Sequence, residues 1–177
     1  MELMEVMLKR RSIRRYTDEK IPEEKLDKVL QAGLLAPTSM DRRPCEFYAV
    51  TDKEILKKLA SVKKAGAAML EESAAAVVVA ADPDKADTWI EDSSIALTYM
   101  HLMAADQGLG SCWIQLHMRQ SADGIDAEEN ARSILSLPER YRIVGILSLG
   151  IPAESKPPKT LDKLEYEKTH RRFSVRY

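Results

Sequence analysis

The sequence predicts an α/β layered domain, on three observations: apolar segments of strand length alternate with amphipathic helical segments, one apolar run is continuous, and one helix candidate is very long. The continuous run, Ala74 to Ala81, holds three adjacent valines and suits a strand covered on both faces, since a strand with one wet face alternates. The long candidate runs from about Asp87 to Gln107, enough to cross a domain, with Gly108 as its stop. A chain of 177 residues fits one domain, 1–177, with a sizeable core.

Taken in order, Met1 to Lys9 places Leu3, Met4, Met7 and Leu8 on one helical face. Pro22 sits where a first-turn proline is tolerated, ahead of a second helix lined by Leu26, Val29, Leu30 and Leu34. Pro37 and Pro44 bracket a loop of small and polar residues. Cys45 to Val50 reads as a strand, and Asp52 is placed to cap a helix carrying Ile55, Leu56 and Leu59. Ala65 to Glu72 forms a further helical piece, and Asp82-Pro83-Asp84 ends the buried strand. Beyond the long helix come strands at Cys112–Leu116 and Ile143–Leu149, separated by a helix near Ala127 to Leu135 that Leu137-Pro138 closes. From Ile151 onward the pattern fades into a polar segment punctuated by Pro152, Pro157 and Pro158, with about 153–177 as a C-terminal arm. Its apolar residues Leu161, Leu164, Tyr166, Phe173, Val175 and Tyr177 predict docking on a partner subunit.

With 27 basic against 28 acidic side chains, no bulk charge attracts nucleic acid, and any basic function is local. The longest apolar run falls far short of the ~20 residues that span a bilayer, so no membrane association is expected. Cys45 and Cys112 lie far apart in apolar segments and read as buried thiols, which points to the cytoplasm. His101, His117 and His170 lack metal-ligand spacing, so no metal site is expected. Acidic pairs such as Glu71-Glu72 and Glu91-Asp92 read as solvated helix surface.

Three local features could carry chemistry. Lys9 to Arg15 holds five basic residues in seven; planar guanidinium forks suit phosphate oxygens, although a solvated charge run is the commoner meaning of such a stretch read alone. A nucleic-acid module is the weaker alternative, because stacking aromatics are not interleaved with the charges. Leu35 to Pro44 is dense in donors and acceptors and could wrap a polar ligand. Gly108-Leu109-Gly110-Ser111-Cys112-Trp113-Ile114-Gln115 is neither a dinucleotide fingerprint, since a strand follows it, nor a serine nucleophile elbow.

In combination these segments resemble the nitroreductase family of flavoproteins. The Arg-Arg-Ser-Ile-Arg segment, the Ala-Pro-Thr-Ser loop, Gly-Leu-Gly-Ser-Cys-Trp after a long helix, and Gly150-Ile151-Pro152 before a basic tail occur here in that family's order. The resemblance implies a mixed central sheet flanked by helices, and an intertwined homodimer with exchanged C-terminal arms. It also implies FMN at the dimer interface, with NAD(P)H as electron donor and a small electron-poor acceptor such as a nitroaromatic or quinone. It assigns Arg10, Arg11, Ser12 and Arg14 to the phosphate and flavin, with Arg14 near the N1 and O2 edge, where it would stabilise charge that appears on reduction. Pro37, Thr38 and Ser39 match the loop that a partner lays over the flavin. Trp113, Ile114 and Gln115 match the strand end along the ring, and Arg172 the basic residue that returns to the phosphate. Asp41, also placed at the flavin, and Arg43 stand where the family usually has amides, and the two can pair with each other. Cys45 replaces a common aromatic.

No protein nucleophile is needed for such hydride transfer, and donor and acceptor sharing one flavin face implies ping-pong kinetics. Two alternatives stay open: a different reaction on the same scaffold, such as reductive dehalogenation or flavin fragmentation, and a non-catalytic FMN-binding protein.

Overall fold

The computed structural model describes residues 2–170. Four strands, β1 (Cys45–Val50), β2 (Ala75–Ala81), β3 (Gly110–Gln115) and β4 (Arg142–Gly150), form one sheet in the order β1-β2-β4-β3. All three neighbouring pairs are antiparallel. Parallel pairing among the described residues is confined to a single bridge, Ser12 with Ser111, on the outer edge of β3. The mixed character implied by the resemblance is thus limited here to that bridge.

β2 is buried along its whole length, as its unbroken apolar run predicts, because it lies inside the sheet with helices on both faces. On one face α3 (Lys53–Leu59) and α5 (Ala127–Ile134) pack Leu56, Leu59, Ala127 and Ala131 against Val78, Ile114 and Ile146. On the other, α2 (Glu23–Leu34) and α4 (Trp89–Asp106) pack Val29, Leu97 and Met100 against Val77, Val79 and Leu147. α4 carries the chain from β2 over β4 to β3, and α1 (Leu3–Lys9) lies against it.

The predicted caps form where local chemistry dictates them. Asp52 accepts from the N–H groups of Glu54 and Ile55 at 2.9 and 3.0 Å, and Gly108, in the left-handed region at φ +72°, follows α4. The segment around Ala65–Glu72 is helical only as a short 3-10 turn, Ala68–Leu70. Cys45 and Cys112 are both free thiols and sit on the two edge strands. Three strand spacings, about 14 Å, separate them, twice the reach of a disulfide.

The apolar side of α1 faces outward: Leu3, Met4 and Met7 are exposed, whereas Val6 is the residue turned to the core. Leu34, Leu35 and Tyr99 are also exposed, and an apolar cavity of about 550 Å³ lies between α1, α2 and α4.

Two glycines allow the chain after α1 to cross the sheet end. Gly110 and Gly150 are partners in the β3–β4 register. A Cβ on Gly110 would meet Ile13 at 2.8 Å, and one on Gly150 would meet the Tyr16 ring at 2.6 Å. The Tyr16 hydroxyl donates to the Ile13 carbonyl at 2.7 Å and lies 2.8 Å from Ser148 Oγ, which locks the crossing segment in place. Gly150→Ala should therefore act as an overpacking substitution and lower unfolding free energy by about 1–3 kcal/mol, measured by urea denaturation. An unchanged denaturation midpoint would show that Tyr16 can move aside freely.

Candidate functional site

The basic segment is fixed to the outer edge of β3. Ile13 N–H donates to the Ser111 carbonyl at 2.9 Å, beside the Ser12–Ser111 bridge. Arg10 turns inward, its Nη1 donating to His101 Nε2 of α4 at 2.8 Å, and His101 Nδ1 lies 2.6 Å from Ser111 Oγ. Burial, and then the neighbouring Arg10 charge, push the His101 pKa down to about 4, so the ring is neutral at pH 7. Arg11 donates to the Pro157 carbonyl, and the exposed Arg14 donates its backbone N–H to Glu154 at 2.6 Å.

The start of the tail completes this region from its own chain. Ala153 N–H donates to the Arg15 carbonyl at 2.9 Å, Lys156 Nζ to the Ser12 carbonyl at 2.6 Å, and Lys159 N–H to the Leu8 carbonyl at 2.8 Å. A hollow of about 200 Å³ results, lined among others by Lys9, Arg10, Arg11, Ser111 and Lys156, with Glu154 the one acid on its wall. Four cationic side chains around one small cavity match a phosphate-bearing group. Past Lys159 the described tail is exposed, Leu161, Leu164 and Tyr166 included, and Arg172 lies outside the described residues.

The proline-bracketed loop is anchored elsewhere. Thr38 Oγ1 accepts the Arg43 N–H at 3.1 Å, and Ser39 N–H donates to Asp92 Oδ1 at 3.1 Å. Asp41 and Arg43 do pair, through a bidentate contact of 2.7 and 2.9 Å. Met40, Asp41 and Arg43 all adopt positive φ, a conformation costly for side-chain-bearing residues and held here by these contacts. Asp92 is not solvated surface, as Glu91-Asp92 reads in sequence; it is 2% exposed, because its carboxylate caps this loop and also accepts from Thr88 Oγ1. Pro37 is exposed beside it. Within one chain the loop does not join the basic segment: Asp92 and His101 are nine residues apart on α4, about 14 Å of helix rise.

Trp113 and Gln115 share the face of β3 that carries Ser111, and Trp113 Nε1 donates to Gln115 Oε1 at 3.0 Å. The Ile114 side chain points the other way into the core, so only its peptide groups lie near the sheet edge. Lys63 reaches the Gln115 carbonyl at 3.1 Å from the loop after α3, and burial, with Arg119 nearby, holds its pKa below the ordinary value. Lys63, Asp92, His101 and Lys156 escape sequence reasoning because each acts through a partner dozens of residues away; only Asp92, an acid in a first helical turn, carried a local signal.

Next to this strand end Glu128 is 1% exposed. It accepts from Arg142 Nε and Nη2, each at 2.9 Å, from Ile143 N–H at 3.0 Å, and lies 2.6 Å from His117 Nδ1. His117 in turn meets the Trp89 ring edge-on, with centroids 5.2 Å apart. Cys45 lies 3.5 Å from Ser93 Oγ at the loop's base, where burial pushes its thiol pKa up.

The nitroreductase family profile matches residues 7–87 and 61–151. A Methanothermobacter thermautotrophicus protein whose name couples NADH dehydrogenase with NAD(P)H nitroreductase is 34% identical, over 96% of this chain and 86% of its own. The NADPH-flavin oxidoreductase of Vibrio harveyi is 30% identical, over 88% of this chain and 68% of its own. The structure of an FMN-dependent nitroreductase from Clostridium difficile R20291 superposes with a TM-score of 0.92 at 43% identity, covering 95% of this chain and 98% of that one.

The Glu128 cluster makes stability depend on pH. Burial pushes this carboxyl up, but Arg142, the Ile143 N–H and His117 outweigh it, and its pKa lies below the ordinary value. A depressed carboxylate pKa adds stability that is complete above the unfolded value of about 4.3 and disappears as pH falls through the folded one. Glu128→Gln should thus be less stable than wild type at pH 7, and the gap should narrow as urea midpoints are followed down to pH 3. A constant gap would mean that the cluster works through shape alone.

Proposed function

The chain belongs to the nitroreductase family, and from that premise we propose that it is an FMN-dependent oxidoreductase passing hydride from NAD(P)H to an electron-poor acceptor such as a nitroaromatic or quinone. The observation that carries the proposal is the hydrogen-bonded seam between the basic segment and β3. It sets Arg10, Arg11 and Ser12 beside a cationic, phosphate-sized hollow, with Trp113 and Gln115 further along the same strand face. The names of the Clostridium difficile and Vibrio harveyi relatives support the same chemistry.

FMN, when bound, supplies the hydride chemistry. Arg10, Arg11 and Ser12 would hold its phosphate end, and Arg14 would offset negative charge on the reduced ring. Trp113, Gln115 and the Ile114 peptide would border the ring, and the kinetics expected of such a site are ping-pong. The site is completed in a homodimer, where Pro37, Thr38, Ser39 and Asp41 of one subunit cover the flavin of the other. That assembly accounts for the exposed apolar face of α1, α2 and α4, and for a loop anchored about 14 Å of helix rise from its own basic segment. A single domain, 1–177, with an arm, about 153–177, and a cytoplasmic location complete the reading.

Mass analysis of the released cofactor, with initial rates over crossed NADH and quinone concentrations, tests the proposal. FMN and parallel reciprocal plots are expected; FAD, no flavin after reconstitution, or intersecting lines would overturn it.

Residues 153–159 hold to their own subunit, whereas Leu161, Leu164 and Tyr166 beyond them are exposed. Truncation after Lys159 should therefore weaken dimerisation and FMN binding together, as linked equilibria require. Arg172→Ala should weaken FMN while leaving the dimer intact. Sedimentation and flavin titration check both, and a truncated chain that stays a tight FMN-binding dimer would show that the arm contributes nothing.

A further inference from the structure

His101 stands out among the buried polar groups because both ring nitrogens are engaged and one engagement fixes the other. A guanidinium only donates, so Nε2 facing Arg10 must be unprotonated. The proton then sits on Nδ1 and is donated to Ser111 Oγ at 2.6 Å. Ser111 is itself pinned, its carbonyl accepting the Ile13 N–H. The ring, 7% exposed, thus ties the Arg10 side chain to the strand residue that already holds the backbone of its segment.

We propose that His101 is a positioning residue that acts through Arg10, holding one guanidinium edge so that the remaining N–H groups stay turned toward the phosphate-bearing end of the cofactor; this rests on the FMN reading above. Arginine has five N–H donors, and the contact to His101 uses Nη1. An unheld side chain would have to lose its rotamer freedom each time the phosphate binds, and His101 removes that cost beforehand. The depressed His101 pKa agrees with this role, since a protonated ring would present a second cation to Arg10.

The test uses full-length His101→Leu and His101→Gln, and Arg10→Ala alone and combined with His101→Leu. FMN and riboflavin affinities are read by flavin fluorescence, and folding by far-UV circular dichroism and thermal midpoint. A lost hydrogen bond to a charged group should weaken FMN about tenfold in His101→Leu. Riboflavin, which lacks the phosphate, should bind as it does to wild type. Gln, whose amide can both accept from Arg10 and donate to Ser111, should restore FMN affinity, and His101→Leu should have no further effect once Arg10 is Ala. Ser111→Ala, which leaves the core intact, serves if the leucine variant does not fold, and should weaken FMN selectively as well. In the wild type, nitrogen NMR should report the Nδ1–H tautomer. Equal loss of FMN and riboflavin, an additive double variant, or an Nε2–H tautomer would overturn the assignment while leaving the FMN reading standing. A wild type that takes up no flavin would overturn both.

Discussion

The structure depends on burying both faces of the two central strands. β2 and β4 lie inside the sheet and are almost continuously buried, so each face needs its own helical layer. α3 and α5 supply one, α2 and α4 the other. With its centre closed, the sheet can receive further chain at its edges. The outer edge of β3 takes the segment after α1, and the site is arranged around that seam.

Polar groups along the seam are satisfied in a chain of contacts and not left as isolated charges. Arg10 meets a neutral imidazole and Arg11 a carbonyl, while Lys156 donates to the Ser12 carbonyl and pairs with Glu154 at 3.3 Å, so one acid stands among the four cationic side chains around the hollow. This arrangement suits an anionic guest, because four cationic side chains against one carboxylate leave the local potential positive. The Glu128 cluster near the far end of β3 is the opposite case. There a buried carboxylate is matched by Arg142 and backbone N–H, and its consequence is stability.

The exposed apolar surface has a similar division of labour. Leu3, Met4 and Met7 form a regular helical face, yet of the α1 residues the core takes Val6, at the margin of that face. The proposed homodimer would cover this face. The loop from Pro37 to Arg43 is shaped in advance for such a role by the Asp41–Arg43 pair and by Asp92, which hold three left-handed residues in place.

By itself the sequence determined the periodic elements and the local stops: the doubly covered β2, the length of α4 and its Gly108 end, the Asp52 cap and the separate thiols. These follow from interactions between near neighbours in the chain, which hydrophobic period and capping chemistry record directly. The order of the site segments was also legible, because four short motifs in register identify a family even where none does alone. Only the tertiary structure decided the antiparallel strand order, the inward turn of Arg10 to His101, the burial of Asp92 beneath a loop and the outward turn of the α1 face. In each of these the partner lies tens of residues away, and a linear pattern carries no record of which distant groups folding brings within hydrogen-bonding distance.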